Sequence, residues 1–259
     1  MEKDLNGRVQ SVDRAMTLLE VLGAQERGYR LSDLSRRTGL SLTTVHRLLT
    51  TLEQRQFVKF SRGDNLWHVG LGAFTVGSAF LLERNFIAAA GPFLRRLRDQ
   101  TRETANLGVV EDGDILLANQ VQSREIKRAI SPVGGRTPMT VSGMGKAVLA
   151  SYHPSEISDI VRQRGMRRVT PNSLASAETL HQELKLIRVN GYSVDDEECR
   201  AGLRCVAATV YDQQAEVICA ISVSGLTTRI TSDRIPSLGR LVAQVASSMT
   251  AALGGRSPR

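Results

Sequence analysis

Apolar residues recur at helical spacing along the first part of the chain: Val12, Met16, Leu19 and Leu22, with Ser11 placed to cap the segment and Gly23 to end it. A second helix is predicted from about Ser32, carrying Leu31 and Leu34 on its inner side and ending at Thr38-Gly39-Leu40. Gly39 stands where a tight turn between two helices needs a residue free to take positive φ. Ser41 then caps a third helix over residues 42–54. On it Val45, Leu48, Leu49 and Leu52 form one apolar stripe. The opposite side carries Thr43, Arg47, Thr50 and Gln54, flanked by Thr44, His46 and Thr51. These are short or forked hydrogen-bonding groups of the kind that read base edges and phosphates. A merely solvated face would be richer in Glu and Lys.

The period then changes. Phe57-Val58-Lys59-Phe60 and Leu66-Trp67-His68-Val69 flank a polar turn containing Gly63, which predicts a β-hairpin. After two helices joined by a tight turn, such a hairpin is a wing, with Arg62 at its tip and Trp67 in the core. Residues 70–84 are small and apolar with a charged end and read as a connecting helix. Its stripe can serve a second subunit or its own domain.

Beyond it, residues 86–100 read as a helix interrupted at Gly91-Pro92. Strands follow at 104–110 and 114–121 around a turn at Glu111-Asp112-Gly113, and again at 205–211 and 216–224. Helices at 143–151, 155–165, 177–190 and 233–253 complete an α+β pattern. The organisation expected is a winged helix-turn-helix over 8–70, a linker helix over 71–84 and a second domain over 85–254.

Charge sharpens the first part of this picture. The chain of 259 residues has a formal net charge of +8. Between Arg27 and Arg62 eight basic residues face only Asp33 and Glu53. Such a stretch suits a polyanion. Three cysteines in no zinc spacing and four scattered histidines point to reduced thiols, with no metal and no cofactor. No apolar run is long enough for a membrane span, and the polar N-terminus lacks a secretory core, so a cytoplasmic protein without a membrane partner is expected.

Several separated motifs then resemble one family. The run Leu31-Ser-Asp-Leu-Ser-Arg-Arg-Thr-Gly-Leu-Ser-Leu-Thr-Thr-Val-His-Arg-Leu-Leu-Thr50 is similar to the helix-turn-helix of IclR-type regulators. So are Val9-Gln-Ser-Val-Asp-Arg-Ala15, Trp67-His-Val-Gly-Leu-Gly72, Ser142-Gly-Met-Gly-Lys-Ala147, Gly191-Tyr-Ser-Val-Asp-Asp-Glu-Glu198, Gly202-Leu-Arg-Cys-Val-Ala207 and Ala220-Ile-Ser-Val-Ser-Gly225. The likeness runs from about Arg8 to Leu253 and is nearest to the branch that represses acetate and allantoin operons. It implies a GAF-like α+β sensor domain with a curved antiparallel sheet. It also implies double-stranded operator DNA as partner, a small-molecule effector, and a homodimer or dimer of dimers. The candidate DNA-binding residues are Arg8, Ser32, Ser41, Thr43, Thr44, His46, Arg47, Thr50 and Arg62.

For the effector, Ser222 and Ser224 are two apart on a strand and share a face. Asp195 is expected to end one strand and Cys205 to begin another. In the resembled branch these four positions line the effector pocket. Val141-Ser-Gly-Met-Gly-Lys-Ala147 is not a P-loop, because Thr140 and Ala147 stand where the motif needs Gly and a hydroxyl. It reads as a helix start, whose Gly143 and Met144 N–H groups either receive a carboxylate or simply pack closely. The branch has Ala in place of Met144. A short oxo or hydroxy carboxylate of the glyoxylate or pyruvate type is the expected effector. An aromatic acid or ureide, or activation in place of repression, are the alternatives within this class. Of the other classes, an enzyme would need a base beside Cys205 or Ser222, and no histidine lies in these motifs. A sensor acting only through protein partners would not need the polar face on the third helix.

Overall fold

A computed structural model describes residues 9–25, 27–82, 85–124 and 132–258, with side chains left aside over 78–82. The chain divides into two compact units, on either side of Asn85 and Phe86. Among the described residues no helix is long and apolar enough to cross a membrane.

In the first unit, α1 (Gln10–Gly23), α2 (Leu31–Thr38) and α3 (Leu42–Gln54) precede a two-stranded hairpin, β1 (Val58–Ser61) and β2 (Leu66–Val69). The α1 expectation needs one correction. The helix begins at Gln10, Val9 stands at the cap without a side-chain bond, and Ser11 lies inside the first turn. The apolar period at Val12 does not distinguish these starts. Gly39 takes the expected left-handed conformation after α2, at φ 68°. Leu18, Leu22, Leu34, Val45, Leu49, Val58 and Trp67 close one core. Tyr29 joins it by pairing with Trp67 through two backbone hydrogen bonds of 3.0 and 2.8 Å, which adds a bridge to the wing that the sequence pattern does not reveal. The helix α4 (Leu71–Leu82) follows; it contains no acidic or basic residue, and Leu71, Phe74 and Val76 are exposed.

The second unit is a six-stranded antiparallel sheet in the order β5-β4-β3-β8-β7-β6. Its strands are β3 (Thr104–Glu111), β4 (Asp114–Val121), β5 (Arg136–Pro138), β6 (Ser193–Asp196), β7 (Leu203–Tyr211) and β8 (Val217–Leu226). Side chains alternate across it. On one face Ala105, Leu107, Val109, Val206, Ala208, Val210, Ile221 and Val223 meet α6 (Gly91–Thr101) and α10 (Ile235–Ala252). Between α4 and α6 lies α5 (Asn85–Ala89), and the break before α6 falls at Gly91-Pro92 as the sequence pattern requires. The other face is covered by α7 (Gly143–Leu149), α8 (Pro154–Arg164) and α9 (Ala177–Asn190), around a core of Ile115, Leu117, Val148, Leu149, Ile157, Leu180 and Leu184. Both faces are therefore buried, which makes any polar residue on the central strands a residue with a task.

One irregularity matters. Leu107 pairs with Asn119, but Gly108 pairs with Leu117, so Ala118 is an extra residue on β4. A bulge of this kind resets the alternation. Leu117 and Gln120, three apart, both come to lie on the α7 face.

Candidate nucleic-acid face and ligand cavity

In the first unit the apolar stripe of α3 is turned inward and its polar side outward. Val45 and Leu49 are fully buried, while Thr43, His46 and Arg47 are exposed and Thr50 is half-buried. Ser41 caps the helix, its Oγ accepting from Thr44 N–H at 3.2 Å and lying 2.9 Å from the Thr44 hydroxyl. The Thr50 hydroxyl donates to the His46 carbonyl at 2.9 Å, and Thr51 to the Arg47 carbonyl at 2.9 Å. Those threonines keep only acceptor lone pairs for an outside group. Thr43, His46 and Arg47 keep their donors. Ser32 is exposed in the first turn of α2, and Arg62 is exposed at the wing. Arg8 lies outside the described residues.

The wing is held by a residue that sequence reading set aside as acidic background. Glu53 Oε1, near the end of α3, accepts from the Phe60 N–H of β1 at 3.0 Å. That bond ties the hairpin to the helix whose face it flanks.

In the second unit a cavity of about 150 Å³ opens on the α7 face of the sheet. A void of that size, about 150 Å³, holds a molecule of about six heavy atoms. Two cross-strand rows floor the region. Asp195, Cys205 and Ser224 pair across β6, β7 and β8, with Thr104 next in line on β3. In the second row Gln120, Asn106 and Ser222 pair across β4, β3 and β8. Met144, Asp195, Cys205 and Ser224 line the cavity, together with Asn106, Gln120, Ser142, Ile115, Leu117 and Arg200.

Two of the six expected effector residues do not line it. Ser222 is fully buried, and Asn106 stands beside it, donating from Nδ2 to the Ser222 and Ser224 hydroxyl oxygens at 3.2 and 3.1 Å. Gly143 sits behind the wall. A Cβ there would lie 3.1 Å from Cys205 Sγ, so any larger residue would press α7 a few tenths of an ångström against the thiol, and glycine lets the helix start this close to the row without that shift. The Gly143 carbonyl accepts from the Ser193 hydroxyl, and Ser142 caps α7 by accepting from Gly145 N–H at 3.3 Å. Asp195 and Cys205 are each the third residue of their strand, not an end and a start, because the β6–β7 pairing runs one or two residues further than the apolar pattern shows.

The Asp195 carboxylate is already half committed. Its Oδ1 accepts from Glu198 N–H at 2.8 Å and Cys199 N–H at 3.1 Å. Burial raises its pKa to about 7; the nearby Glu198 charge pushes the same way, against the pull of the two amides and of Lys146. Burial, with the Asp195 charge second, pushes the Cys205 thiol up to about 12, and burial carries Cys199 to about 11. Thiols held that high are not nucleophiles at neutral pH. Lys146 anchors this corner from behind. It is fully buried, and its ammonium donates to Glu198 Oε1 and, at 3.3 Å, to Glu183 Oε1 on α9.

The comparisons agree with both halves of this geometry. The IclR helix-turn-helix domain model matches residues 11–62, and the bacterial transcriptional regulator IclR C-terminal model matches residues 78–251. The acetate operon repressor of Salmonella typhimurium is 40% identical over 253 residues, 97% of this chain and 92% of that protein. The HTH-type transcriptional repressor AllR of Klebsiella pneumoniae is 37% identical over 245 residues, 95% of this chain and 90% of its own. Among solved structures, the IclR of Thermotoga maritima superposes with a TM-score of 0.81 at 22% identity, over 95% of this chain and all of that one, which speaks for the fold. A helix-turn-helix with an exposed hydrogen-bonding face, followed by a sheet domain with a small cavity of mixed lining, is what these relatives share: the chain belongs to the IclR family of bacterial transcriptional regulators.

Proposed function

We propose that this protein is a cytoplasmic repressor whose hold on operator DNA is set by a short oxo or hydroxy carboxylate, of the glyoxylate or pyruvate type, taken into the cavity of the second unit. The observation that carries the effector reading is the cavity itself: about 150 Å³, with Ser224, Asn106, Gln120 and Asp195 on its polar side and Ile115, Leu117 and Met144 on the apolar side. That combination suits a small acid and leaves little room for an aromatic ring with substituents. The first-turn N–H of Met144, which has no acceptor within its own helix, receives the carboxylate, while Gly143 behind the wall lets α7 start close to the row. Ser224 donates to a further oxygen, and the free side of Asp195 accepts from a hydroxyl or hydrated carbonyl.

On the DNA side, α3 enters the major groove with Thr43, His46 and Arg47 toward the bases, supported by Ser32, Ser41, Thr44 and Thr50, while Arg62 on the wing meets the backbone. Operator half-sites are read by a homodimer, or a dimer of dimers, joined through the uncharged α4. The effector acts by binding one conformational state better than the other, with a coupling of about 1–3 kcal/mol.

The test is a salt-dependent mobility shift on the DNA upstream of the protein's own gene, run beside calorimetry with glyoxylate and pyruvate. Affinity for DNA falls steeply with salt. Arg47→Ala weakens DNA binding roughly 10- to 100-fold and leaves effector affinity unchanged. The double variant Ser224→Ala with Cys205→Ala does the reverse. Equal damage to both activities in both variants would mean a folding defect and would remove the assignment.

Met144 sets the size limit. It is almost fully buried, lines the cavity, and rests on the backbone of Gly108, where a Cβ would come within 3.0 Å of its sulfur. Met144→Ala should raise the affinity of a 2-oxo acid with a four-carbon side chain, relative to pyruvate, by about tenfold. An unchanged ratio in calorimetry would show that the cavity is bounded elsewhere.

A further inference from the structure

The cavity wall contains polar residues that the family motifs do not mark, and Asn106 is the most buried of the amides among them. Asn106 is the third residue of β3, with only 5% of its surface exposed, in a strand whose two faces are both covered. Its amide makes three hydrogen bonds within the sheet. Nδ2 donates to Ser222 Oγ at 3.2 Å and to Ser224 Oγ at 3.1 Å. Its Oδ1 accepts from Gln120 Nε2 at 2.9 Å. With Gln120 donating to Oδ1, Nδ2 is the end that faces the serines. An NH2 group donates and cannot accept. Each serine oxygen therefore receives one hydrogen from Asn106 and must point its own hydrogen elsewhere.

The remaining neighbour differs for the two serines. Both hydroxyls lie within hydrogen-bonding reach of the Cys205 sulfur. Ser222 is fully buried and has only that sulfur for its hydrogen, whereas Ser224 has the sulfur and also borders the cavity. We propose that Asn106, oriented by Gln120, is the specificity-determining residue of this cavity: it accepts nothing from Ser224, leaving that hydroxyl's hydrogen to the weak sulfur acceptor of Cys205 or to the ligand, and so favours an acceptor-bearing anionic oxygen over a donor-bearing amide or amine. The inference rests on the proposed carboxylate reading of the same cavity and adds the residue that enforces it. It also explains the bulge at Ala118, which is what brings Gln120 onto this face beside Asn106.

Reversing the central amide should reverse the preference. In Asn106→Asp a carboxylate accepts from both serines, so their lone pairs, not their hydrogens, face the ligand. The probes are pyruvate and its neutral amide, pyruvamide, titrated calorimetrically into the full-length protein and its variants. Wild type favours pyruvate. Asn106→Asp should shift the pyruvate-to-pyruvamide affinity ratio roughly tenfold or more toward the amide, the worth of one hydrogen bond to a charged group. The new charge of Asn106→Asp repels pyruvate by itself, so the charge-neutral Gln120→Leu decides: it frees the amide to turn over and should shift the ratio about threefold in the same direction. A purely structural role would weaken both probes alike in Gln120→Leu and leave the ratio where it was, which would overturn the proposal. The two readings separate cleanly. If wild type favours pyruvamide and the variant still shifts the ratio toward it, the carboxylate reading falls and the role of Asn106 stands. If pyruvate binds wild type and variants with an unchanged ratio, the carboxylate reading stands and the role of Asn106 falls. Failure of wild type to bind either probe overturns both.

Discussion

Replacing Lys146 with methionine is expected to lower the stability of the protein by about 3–5 kcal/mol at pH 8, the cost of orphaning a buried charge. Lys146 is wholly enclosed between α7, α9 and the β6–β7 connection, and its ammonium is shared by Glu198 and Glu183. Methionine preserves most of the volume, so the loss is electrostatic. Glu198 is 5% exposed, and its second carboxylate oxygen is buried without a hydrogen-bond partner. Burial already pushes its pKa up, and the Lys146 charge is the main influence holding it down. Without the lysine Glu198 takes up a proton more readily, so the penalty should shrink as pH falls. The sign follows from linkage: the variant's folded state binds the extra proton, and acid favours it. Urea unfolding followed by circular dichroism at pH 8 and pH 5 measures this. The triple variant Lys146→Met, Glu183→Gln, Glu198→Gln should recover most of the loss. A single variant as stable as wild type at pH 8 would show that the pair is not what holds this corner.

The same corner shows what could be read in the sequence and what could not. The helices were legible because their apolar period survives burial on one side only. The third helix declared its outward face by residue type, and α3 presents Thr43, His46 and Arg47 to solvent. Asp195, Cys205 and Ser224 were reachable through the family motifs, and they form one cross-strand row. Ser222 shares the expected face but does not border the cavity, because pairing rules give a face and not a neighbour: Asn106, which does border it, donates to the Ser222 hydroxyl oxygen. Gln120 was beyond reach for a sharper reason. Strict alternation from Leu117 puts position 120 on the far side, and only the extra residue at Ala118 returns it. Asn106 did leave a signal, an amide directly before the run Leu107-Gly108-Val109-Val110 within a predicted strand. Lys146 left one too, since it occupies the single charged position of a helix whose seven residues are all buried.

Asp195→Asn should stabilise the protein while impairing the proposed effector binding. The carboxyl of Asp195 is almost completely enclosed, and its folded-state pKa of about 7 lies above the unfolded 3.8. This is the reverse of the usual salt-bridged carboxylate. Folding favours the protonated form, so the cost of keeping Asp195 ionised is absent below pH 3.8, grows as pH rises through the interval to about 7, and is constant above it. Its ceiling is on the order of 4 kcal/mol. Asparagine keeps the oxygen that accepts from the Glu198 and Cys199 amides and carries no charge to desolvate. The variant should therefore match wild type near pH 4 and exceed it by roughly 2–4 kcal/mol at pH 8. Other groups facing this carboxyl, namely Glu198, Lys146, Cys199 and Cys205, are common to both proteins, so they largely cancel in the difference. A stability gain that is flat with pH would mean that Asp195 is not the group responsible. An enclosed carboxylate that destabilises its own fold marks a functional position, and Asp195 lines the cavity in which a small acid is proposed to bind. Calorimetry on the stabilised variant should accordingly show weakened binding of glyoxylate; full affinity would assign that carboxylate no part in recognition.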